Sequence, residues 1–264
     1  MDHLLPQSSI VPIVKGHKDQ AITSLLGTGF FVGKPSALYL VTAKHVFQSN
    51  PLGDSEHYAF VLQSEKGIGV WNLPKLYVST DYDVAVCPVD NAVKAAPLQF
   101  SREQPALNDD VFSFEYSNTS FERKPLGGMH VSFEPLSHKG NVVRYYDSNF
   151  PESIITPSFL TSFPALQGAS GAPVMFGTIQ KKIRVTGILV ANQERHLLPA
   201  QIVRIEEGPE FSEETRYFLP YGKALHSKVL LPFLVQLGIE NLYGDSTGFV
   251  EKIKIGLQSF INRL

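Results

Sequence analysis

The chain has 264 residues, of which 43% are hydrophobic and 18% charged, a balance typical of a globular protein with a sizeable core. The formal net charge of -2 gives no general attraction to nucleic acid or to an anionic membrane, so we expect neither as a partner. The single cysteine, Cys87, excludes an intramolecular disulfide and is expected to be a small buried hydrophobe.

The predicted location rests on the cysteine and on two further features. The opening MDHLLPQSSIVPIVK has an acidic second residue and no long apolar core, which argues against a signal peptide. No apolar run approaches the roughly 20 residues that a membrane-spanning helix needs. Together these features predict a reducing, cytoplasmic location.

Short segments rich in Val, Ile, Phe and Tyr, separated by turn-forming residues, continue to about residue 220. No strand–helix alternation accompanies them, so we predict an all-β, antiparallel barrel or sandwich. A hairpin is predicted around Lys139 and Gly140. The predicted strands are Ile10–Lys15, Gly29–Val32, Leu38–Ala43, Tyr58–Gln63, Gly67–Leu73, Val84–Val89, Val111–Tyr116, His130–Glu134, Val142–Tyr146, Val174–Phe176 and Val185–Ala191.

Two irregular stretches interrupt this pattern. Asp90–Asn108 holds Pro97 and Pro105 and predicts a linker between two β-rich halves. Gln193–Arg216 is rich in glutamate and predicts an exposed acidic insertion, with a short strand at Gln201–Ile205.

The end of the chain has helical spacing instead. Ala224–Leu237 predicts a helix stopped by Gly238, in which Pro232 marks either a kink or a late start. Apolar residues recur at helical intervals along Phe249–Leu264, which predicts a second helix that packs on the β-structure or binds a partner.

The sharpest local motif is QGASGAPV, residues 167–174, in which Ser170 lies between Gly168 and Gly171. Glycines on both sides of a serine permit a tight turn that exposes the hydroxyl beside backbone N–H groups. A nucleophile and oxyanion donors on one loop suit acyl transfer, although small residues in a turn also occur for structural reasons.

A serine nucleophile needs a base, and the base needs an orienting acid. His45 follows the apolar run LYLVTA where a strand should end, and Asp83 opens the predicted strand Val84–Val89. Asp81 competes for the role of Asp83, and each residue taken alone also has an ordinary structural explanation. Their order is His, Asp, Ser, in an all-β chain.

With these residues in place, the sequence resembles the trypsin-like, chymotrypsin-fold serine proteases, in the style of disulfide-free bacterial members. The resemblance covers roughly residues 20–238. It rests on the motifs GTGFFVG, VTAKHV, DVAV, GASGAPV, TGILVA and YFLP.

The resemblance implies two six-stranded antiparallel β-barrels with the active site between them, followed by C-terminal α-helices. The implied domains are residues 1–100 with His45 and Asp83, 101–222 with Ser170, and a helical extension at 223–264. Ser170 is then the nucleophile, His45 the general acid–base and Asp83 its orienter. The N–H groups of Gly168 and Ser170 form the oxyanion hole.

The resemblance also implies where substrate binds. The strand Ile188–Ala191, with Asn192, pairs with the substrate backbone. The side chain before the scissile bond, P1, enters a pocket walled by Pro164–Gln167 and Val190–Asn192. Arg216 near the pocket base predicts an acidic P1 residue.

Two positions depart from the family pattern. Ala169 stands where an Asp or Asn is usual, so it cannot pair with a newly cut N-terminus, and we predict no activation by N-terminal trimming. Ala172 stands where glycine is usual; its methyl group is either tolerated or strains the loop and leaves the oxyanion hole misformed until substrate binds. We therefore expect regulation by loop ordering or by a regulatory protein partner.

The predicted function is a serine endopeptidase that cleaves polypeptide substrates through an acyl-enzyme, without a metal or other cofactor. The alternative is a binding or sensing module on the same fold, with catalysis dormant. An esterase using the same residues is a third hypothesis, although the α/β-hydrolase strand–helix pattern around GxSxG is missing.

Overall fold

The computed structural model describes residues 8–18, 22–64, 67–123, 129–146, 156–177, 183–196, 201–204, 212–215 and 218–243. Its elements, in chain order, are β1 (Ile10–His17), β2 (Ile22–Lys34), β3 (Ala37–Thr42), α1 (His45–Gln48), β4 (Glu56–Ser64), β5 (Gly67–Asn72), β6 (Tyr77–Val78), β7 (Ala85–Pro88), β8 (Asp110–Glu115), β9 (Ser120–Arg123), β10 (Met129–Ser132), β11 (Leu136–Tyr146), β12 (Ser158–Thr161), β13 (Pro173–Phe176), β14 (Arg184–His196), β15 (Gln201–Arg204), β16 (Ser212–Thr215), β17 (Phe218–His226) and α2 (Ser227–Gln236).

The first half of the chain forms a seven-stranded antiparallel sheet in the order β5-β4-β1-β2-β3-β7-β6. A six-stranded barrel was predicted here. No ladder joins the edge strands β5 and β6 within the described residues, so the sheet is not closed there. The extra strand is the two-residue β6, whose one ladder within the described part of the chain is with β7.

The second half forms a closed six-stranded barrel in the order β11-β12-β17-β14-β13-β8. All of its ladders are antiparallel. The predicted all-β, chymotrypsin-like fold is therefore confirmed. Two short hairpins, β9–β10 and β15–β16, lie outside the two main sheets.

The first sheet, the barrel and α2 pack against one another through one apolar cluster. Phe30 and Val41 reach it from the first sheet, Ile188 and Leu225 from the barrel, and Leu230 from α2. Each of these side chains is at most 3% exposed, and burial of a large apolar side chain contributes about 1.5–3 kcal/mol. The cleft between the halves is thus bounded by well-packed elements.

The predicted linker also packs against both halves. The Leu98 N–H donates to the Phe31 carbonyl, and the Ser101 N–H donates to the Val185 carbonyl. Phe100 between them is 1% exposed. Its apolar side chain makes the stretch part of the core instead of a free connection.

The hairpin predicted at Lys139 and Gly140 is wrong, because β11 runs through both residues without a turn. Its first part pairs with β8 and its second part with β12. Gly140 instead allows close packing, since a Cβ there would lie 2.9 Å from the Phe163 ring.

The predicted helix Ala224–Leu237 begins three residues late. Ala224 and His226 end β17, and α2 starts at Ser227 with the His226 side chain accepting from the Lys228 N–H. The helix continues through Pro232, which is exposed. The second predicted helix, Phe249–Leu264, lies outside the described residues. No helix in the described ranges is long and apolar enough to cross a membrane.

Candidate active site

His45 lies at the start of the one-turn helix α1 and not at the end of a strand. β3 ends at Thr42, and Val46 and Phe47 of α1 are buried, which fixes the turn that carries the imidazole. The His45 side chain is 35% exposed, so its ring is held from one side and open to the cleft on the other.

Asp83 holds His45 through two hydrogen bonds. The His45 main-chain N–H donates to Oδ1 over 2.9 Å, and Nδ1 lies 2.6 Å from Oδ2. Because Nδ1 faces a carboxylate, the proton of a neutral imidazole belongs on Nδ1, which leaves Nε2 as an acceptor. The competing Asp81 is exposed and accepts a hydrogen bond from the Thr80 hydroxyl.

The ionisation of Asp83 reflects opposing effects. Partial burial is the largest single effect and raises the pKa of its carboxyl group, while the hydrogen bonds from the side chain and main chain of His45 lower it. The charges of His45 and Lys44 act in the same direction. The net pKa of Asp83 lies below its ordinary value, so the carboxylate is negatively charged at neutral pH.

Ser170 completes the chain of contacts. Its Oγ lies 2.7 Å from Nε2 of His45, which is the ring nitrogen left to accept the hydroxyl proton. The three side chains thus form one continuous line of contacts from carboxylate to imidazole to hydroxyl. In sequence, Asp83 lies 38 positions and Ser170 lies 125 positions from His45.

The loop that carries Ser170 needs both of its glycines. Gly168 has φ +97° and Gly171 has φ +88°, in the left-handed region that favours glycine. A Cβ on Gly168 would lie 2.8 Å from the Leu25 side chain. A Cβ on Gly171 would collide with the Thr42 hydroxyl and the Thr28 carbonyl.

Two backbone donors on this loop are available to a ligand. Within the described part of the chain, neither the Gly168 N–H nor the Ser170 N–H donates to a protein acceptor. The neighbouring Ala169 N–H, in contrast, donates to the Leu166 carbonyl over 2.9 Å. The two available groups are those that the family resemblance assigns to the oxyanion hole.

Thr28, which did not stand out in the sequence, fixes this loop. Its hydroxyl donates to the Gly168 carbonyl over 2.8 Å and accepts from the Tyr116 N–H, while its own N–H donates to the Ser170 carbonyl. Thr28 is fully buried. A threonine between two glycines in GTGFFVG was the available signal, because such a position brings backbone and hydroxyl close to another chain segment.

The two alanines that depart from the family pattern are both fully buried in the barrel core. Ala169 has no polar group to pair there. Ala172 does not have a positive φ, and its N–H and carbonyl are bonded to Ala169 and Leu189. Of the two alternatives for Ala172, the backbone therefore favours a tolerated methyl group.

The edge of β14 is open beyond the barrel ladder. The ladder between β13 and β14 reaches no further than the pair Pro173–Ile188, and Leu189 is bonded to Gly171 and Ala172. Beyond that point, among the described residues, Val190 and Ala191 have a neighbouring strand only on the β17 side. An extended chain can add to such an edge.

The predicted pocket walls are positioned as follows. Pro164 is half-buried and Gln167 exposed, while Val190 is half-buried and Ala191 and Asn192 are exposed. Asn192 makes two hydrogen bonds to Ala165 of the opposite wall. Arg216 lies outside the described residues, so its place near the pocket stays a prediction. Among the residues described, no cluster of His, Cys, Asp and Glu is arranged to hold a metal ion.

The fold and this arrangement define a class, the chymotrypsin-like proteases. The model for the trypsin-like peptidase domain matches residues 27–179, a span that includes His45, Asp83 and Ser170. Since this is more than half of the chain, the protein belongs to the trypsin-like peptidase family. A search of curated proteins found no match.

Solved structures of bacterial proteases have the same fold. The MamO protease domain from Magnetospirillum magneticum, in its apo form, is 16% identical with a TM-score of 0.54, covering 89% of this chain and 99% of that one. The active form of the Rv3671c protease from M. tuberculosis is 17% identical with a TM-score of 0.52, covering 90% of this chain and 84% of that one. At these identities the similarity shows the fold alone.

Proposed function

We propose that this protein is a serine endopeptidase that hydrolyses peptide bonds through an acyl-enzyme on Ser170. The observation that carries the proposal is the continuous line of hydrogen bonds from Asp83 through His45 to Ser170, with heavy-atom distances of 2.6 and 2.7 Å. Nucleophile and base already lie within proton-transfer distance, as general base catalysis requires.

In the proposed reaction, Ser170 Oγ bonds to the carbonyl carbon of the scissile peptide as its proton passes to Nε2 of His45. The negative charge on the carbonyl oxygen is stabilised by the Gly168 and Ser170 N–H groups. His45 then returns the proton to the leaving amine as the C–N bond breaks, and water hydrolyses the ester by the same steps. Asp83 stabilises the imidazolium that forms in each half of the reaction.

The proposed substrate is a polypeptide in extended conformation. The open edge of β14 at Val190 and Ala191 supports this, because an added strand would receive main-chain hydrogen bonds beside Ser170. Binding through the main chain also suits an enzyme that acts within a chain instead of at its ends.

Activation by N-terminal trimming is not part of the proposal. Ala169 is fully buried among apolar side chains and offers no carboxylate to a new N-terminus. The loop is instead tied by Thr28, which is present before any cleavage. We propose that restraint of the activity comes from a protein partner or from a change in loop order.

Cleavage of a fluorogenic peptide library tests this function. Wild type should cleave at least part of the library, and Ser170→Ala should lower kcat on the order of 10⁵–10⁶-fold. Ser162→Ala is the matched control, because Ser162 is an exposed residue of the same connecting segment whose hydroxyl accepts from the Asn141 N–H. Equal cleavage by wild type and Ser170→Ala, or none by either, would count against an active protease and favour a dormant binding module.

A further inference from the structure

The side chain of Asn192 joins the two segments that the family resemblance assigns to the walls of the P1 pocket. Its Nδ2 donates to the Ala165 carbonyl and its Oδ1 accepts from the Ala165 N–H, both over 2.6 Å. Asn192 lies on β14, and Ala165 lies on the segment that leads into the Ser170 loop. The two walls are therefore joined directly by one amide group.

This tie lies where the P1 side chain must go. Leu189 is bonded to Gly171, next to the nucleophile, so residues 190–192 lead away from Ser170 along segment 163–167. A chain that adds to this edge of β14 with its carbonyl carbon at Ser170 directs its P1 side chain between the two segments. That side chain meets the Asn192–Ala165 bonds first, because Asn192 is exposed at the mouth.

A second hydrogen bond joins the same wall segment, residues 163–167, to β17. The Gly222 N–H of β17 donates to the Phe163 carbonyl over 2.8 Å. A Cβ on Gly222 would lie 2.7 Å from that carbonyl oxygen, so the main chains are already in contact. Within the described residues, the wall segment is thus bonded to β17 at Phe163 and to β14 at Ala165.

Segment 163–167 also packs against a buried polar network through Phe163. The Phe163 ring stacks on His138 with centroids 5.6 Å apart, and His138 Nε2 lies 2.7 Å from the buried Glu115 carboxylate. Glu115 accepts a further hydrogen bond from the Ser117 hydroxyl. Widening of the pocket by retreat of Phe163 would disturb this buried polar network, which makes such retreat costly.

We propose that Asn192 is the residue that sets specificity, and that it restricts cleavage to polypeptides with a small apolar P1 residue of about the size of alanine. A larger side chain has to displace the amide and leave the buried Ala165 N–H and carbonyl without partners. Among the described residues, Ala165, Val190 and Ala191 add apolar, uncharged surface beside Asn192, and the one further polar wall residue, Gln167, carries no charge. This inference rests on the proposed protease function and opposes the acidic P1 that Arg216 predicted.

Peptide substrates that differ only at P1 test the inference, with kcat/KM measured for Ala, Val, Leu, Phe, Glu and Arg. Wild type should cleave the alanine substrate at least about tenfold faster than the leucine, phenylalanine, glutamate or arginine substrates. If wild type favours glutamate, arginine or phenylalanine at P1, the restriction to a small apolar P1 residue is wrong. The proposed protease function is then still supported. No cleavage of any substrate, and no labelling of Ser170, overturns both.

Asn192→Gly removes the tie and should raise the kcat/KM ratio of the leucine substrate over the alanine substrate at least about tenfold. Asn192→Ser is the second variant, since its short hydroxyl cannot span the gap and it perturbs the backbone less than glycine. Asn141→Gly is the matched control, because it also removes an asparagine amide from a strand, but that amide bonds the Asn108 side chain and not Ala165. An unchanged ratio in folded Asn192→Gly and Asn192→Ser overturns the role of Asn192.

Discussion

The Thr28 hydroxyl donates a hydrogen bond to the Gly168 carbonyl across 140 residues of sequence, over 2.8 Å. It links the first sheet to the loop that carries Ser170. The same hydroxyl accepts from the Tyr116 N–H of the second half. One buried side chain thus sets the orientation of the loop relative to both halves.

Replacing Thr28 tests this linkage. Thr28→Val keeps the shape but leaves the buried Gly168 carbonyl and Tyr116 N–H without partners, at about 1–3 kcal/mol for each group. The free energy of unfolding, measured in urea, should fall accordingly. kcat should fall on the order of 10- to 100-fold, because the N–H groups that we propose as oxyanion donors are no longer held in place.

Thr28→Ser is the matched control for this substitution, since it keeps the hydroxyl. Its kcat should stay within a few-fold of wild type. If valine and serine at this position gave the same kcat, the loop would not depend on the hydroxyl.

The backbone of the Ser170 loop gives a second prediction. Gly171→Ala forces a left-handed φ of +88° on a residue with a Cβ, at roughly 1–2 kcal/mol. It also drives that Cβ into Thr28 and Thr42, which adds about 1–3 kcal/mol of overpacking. The total loss should appear in urea unfolding.

Gly238→Ala separates these two costs. Gly238 has φ +74°, but a Cβ added there would have nothing within 4 Å, so only the conformational cost applies. A Gly171→Ala protein as stable as Gly238→Ala would show that the loop has room to move.

Asp83 should control both rate and acid stability. Asp83→Asn removes the charge that stabilises the imidazolium, and kcat should fall on the order of 10⁴-fold with the fold retained. The measurement is kcat at neutral pH, together with circular dichroism. A loss below tenfold would mean that Asp83 does not orient His45.

The lowered pKa of Asp83 also fixes the direction of a pH effect. Because the folded protein holds this carboxylate at a pKa below its unfolded value of 3.8, ionised Asp83 stabilises the fold above that pH. As pH falls below about 4, the advantage of wild type over Asp83→Asn in free energy of unfolding should shrink. An advantage that grows on acidification would contradict the direction of the shift.

Cys87 provides a prediction outside the site. It is fully buried, and burial raises the pKa of its thiol to about 12. The thiol therefore stays protonated and inaccessible at pH 8, and a disulfide reagent should react with it only after unfolding. Rapid reaction of the native protein would show that this part of the core opens.

Much of the fold follows from the sequence, because alternating β-branched and aromatic residues determine which segments become strands. The stretch His45 to Gln48 was harder, since a single helical turn has no periodicity to reveal it. β11 was misjudged at Gly140, where glycine makes room for Phe163 instead of forming a turn. Such contacts between distant segments leave no local pattern.

Part of the candidate site could also be predicted from the sequence. His45, Asp83 and Ser170 stood out through order and motif, and the structure brings their side chains together. Thr28 and the Asn192–Ala165 tie did not stand out, because both depend on which backbone groups meet across the fold. The cytoplasmic location and the domain boundaries stay predictions.

Covalent labelling tests the central claim most directly. An organofluorophosphate probe should add one group to wild type, and mass spectrometry of the digest should place it on Ser170. Ser162→Ala should be labelled like wild type, and Ser170→Ala should not be labelled. A wild-type protein that stays unmodified, or a Ser170→Ala protein labelled at the wild-type rate, would contradict the assignment of Ser170 as an activated nucleophile.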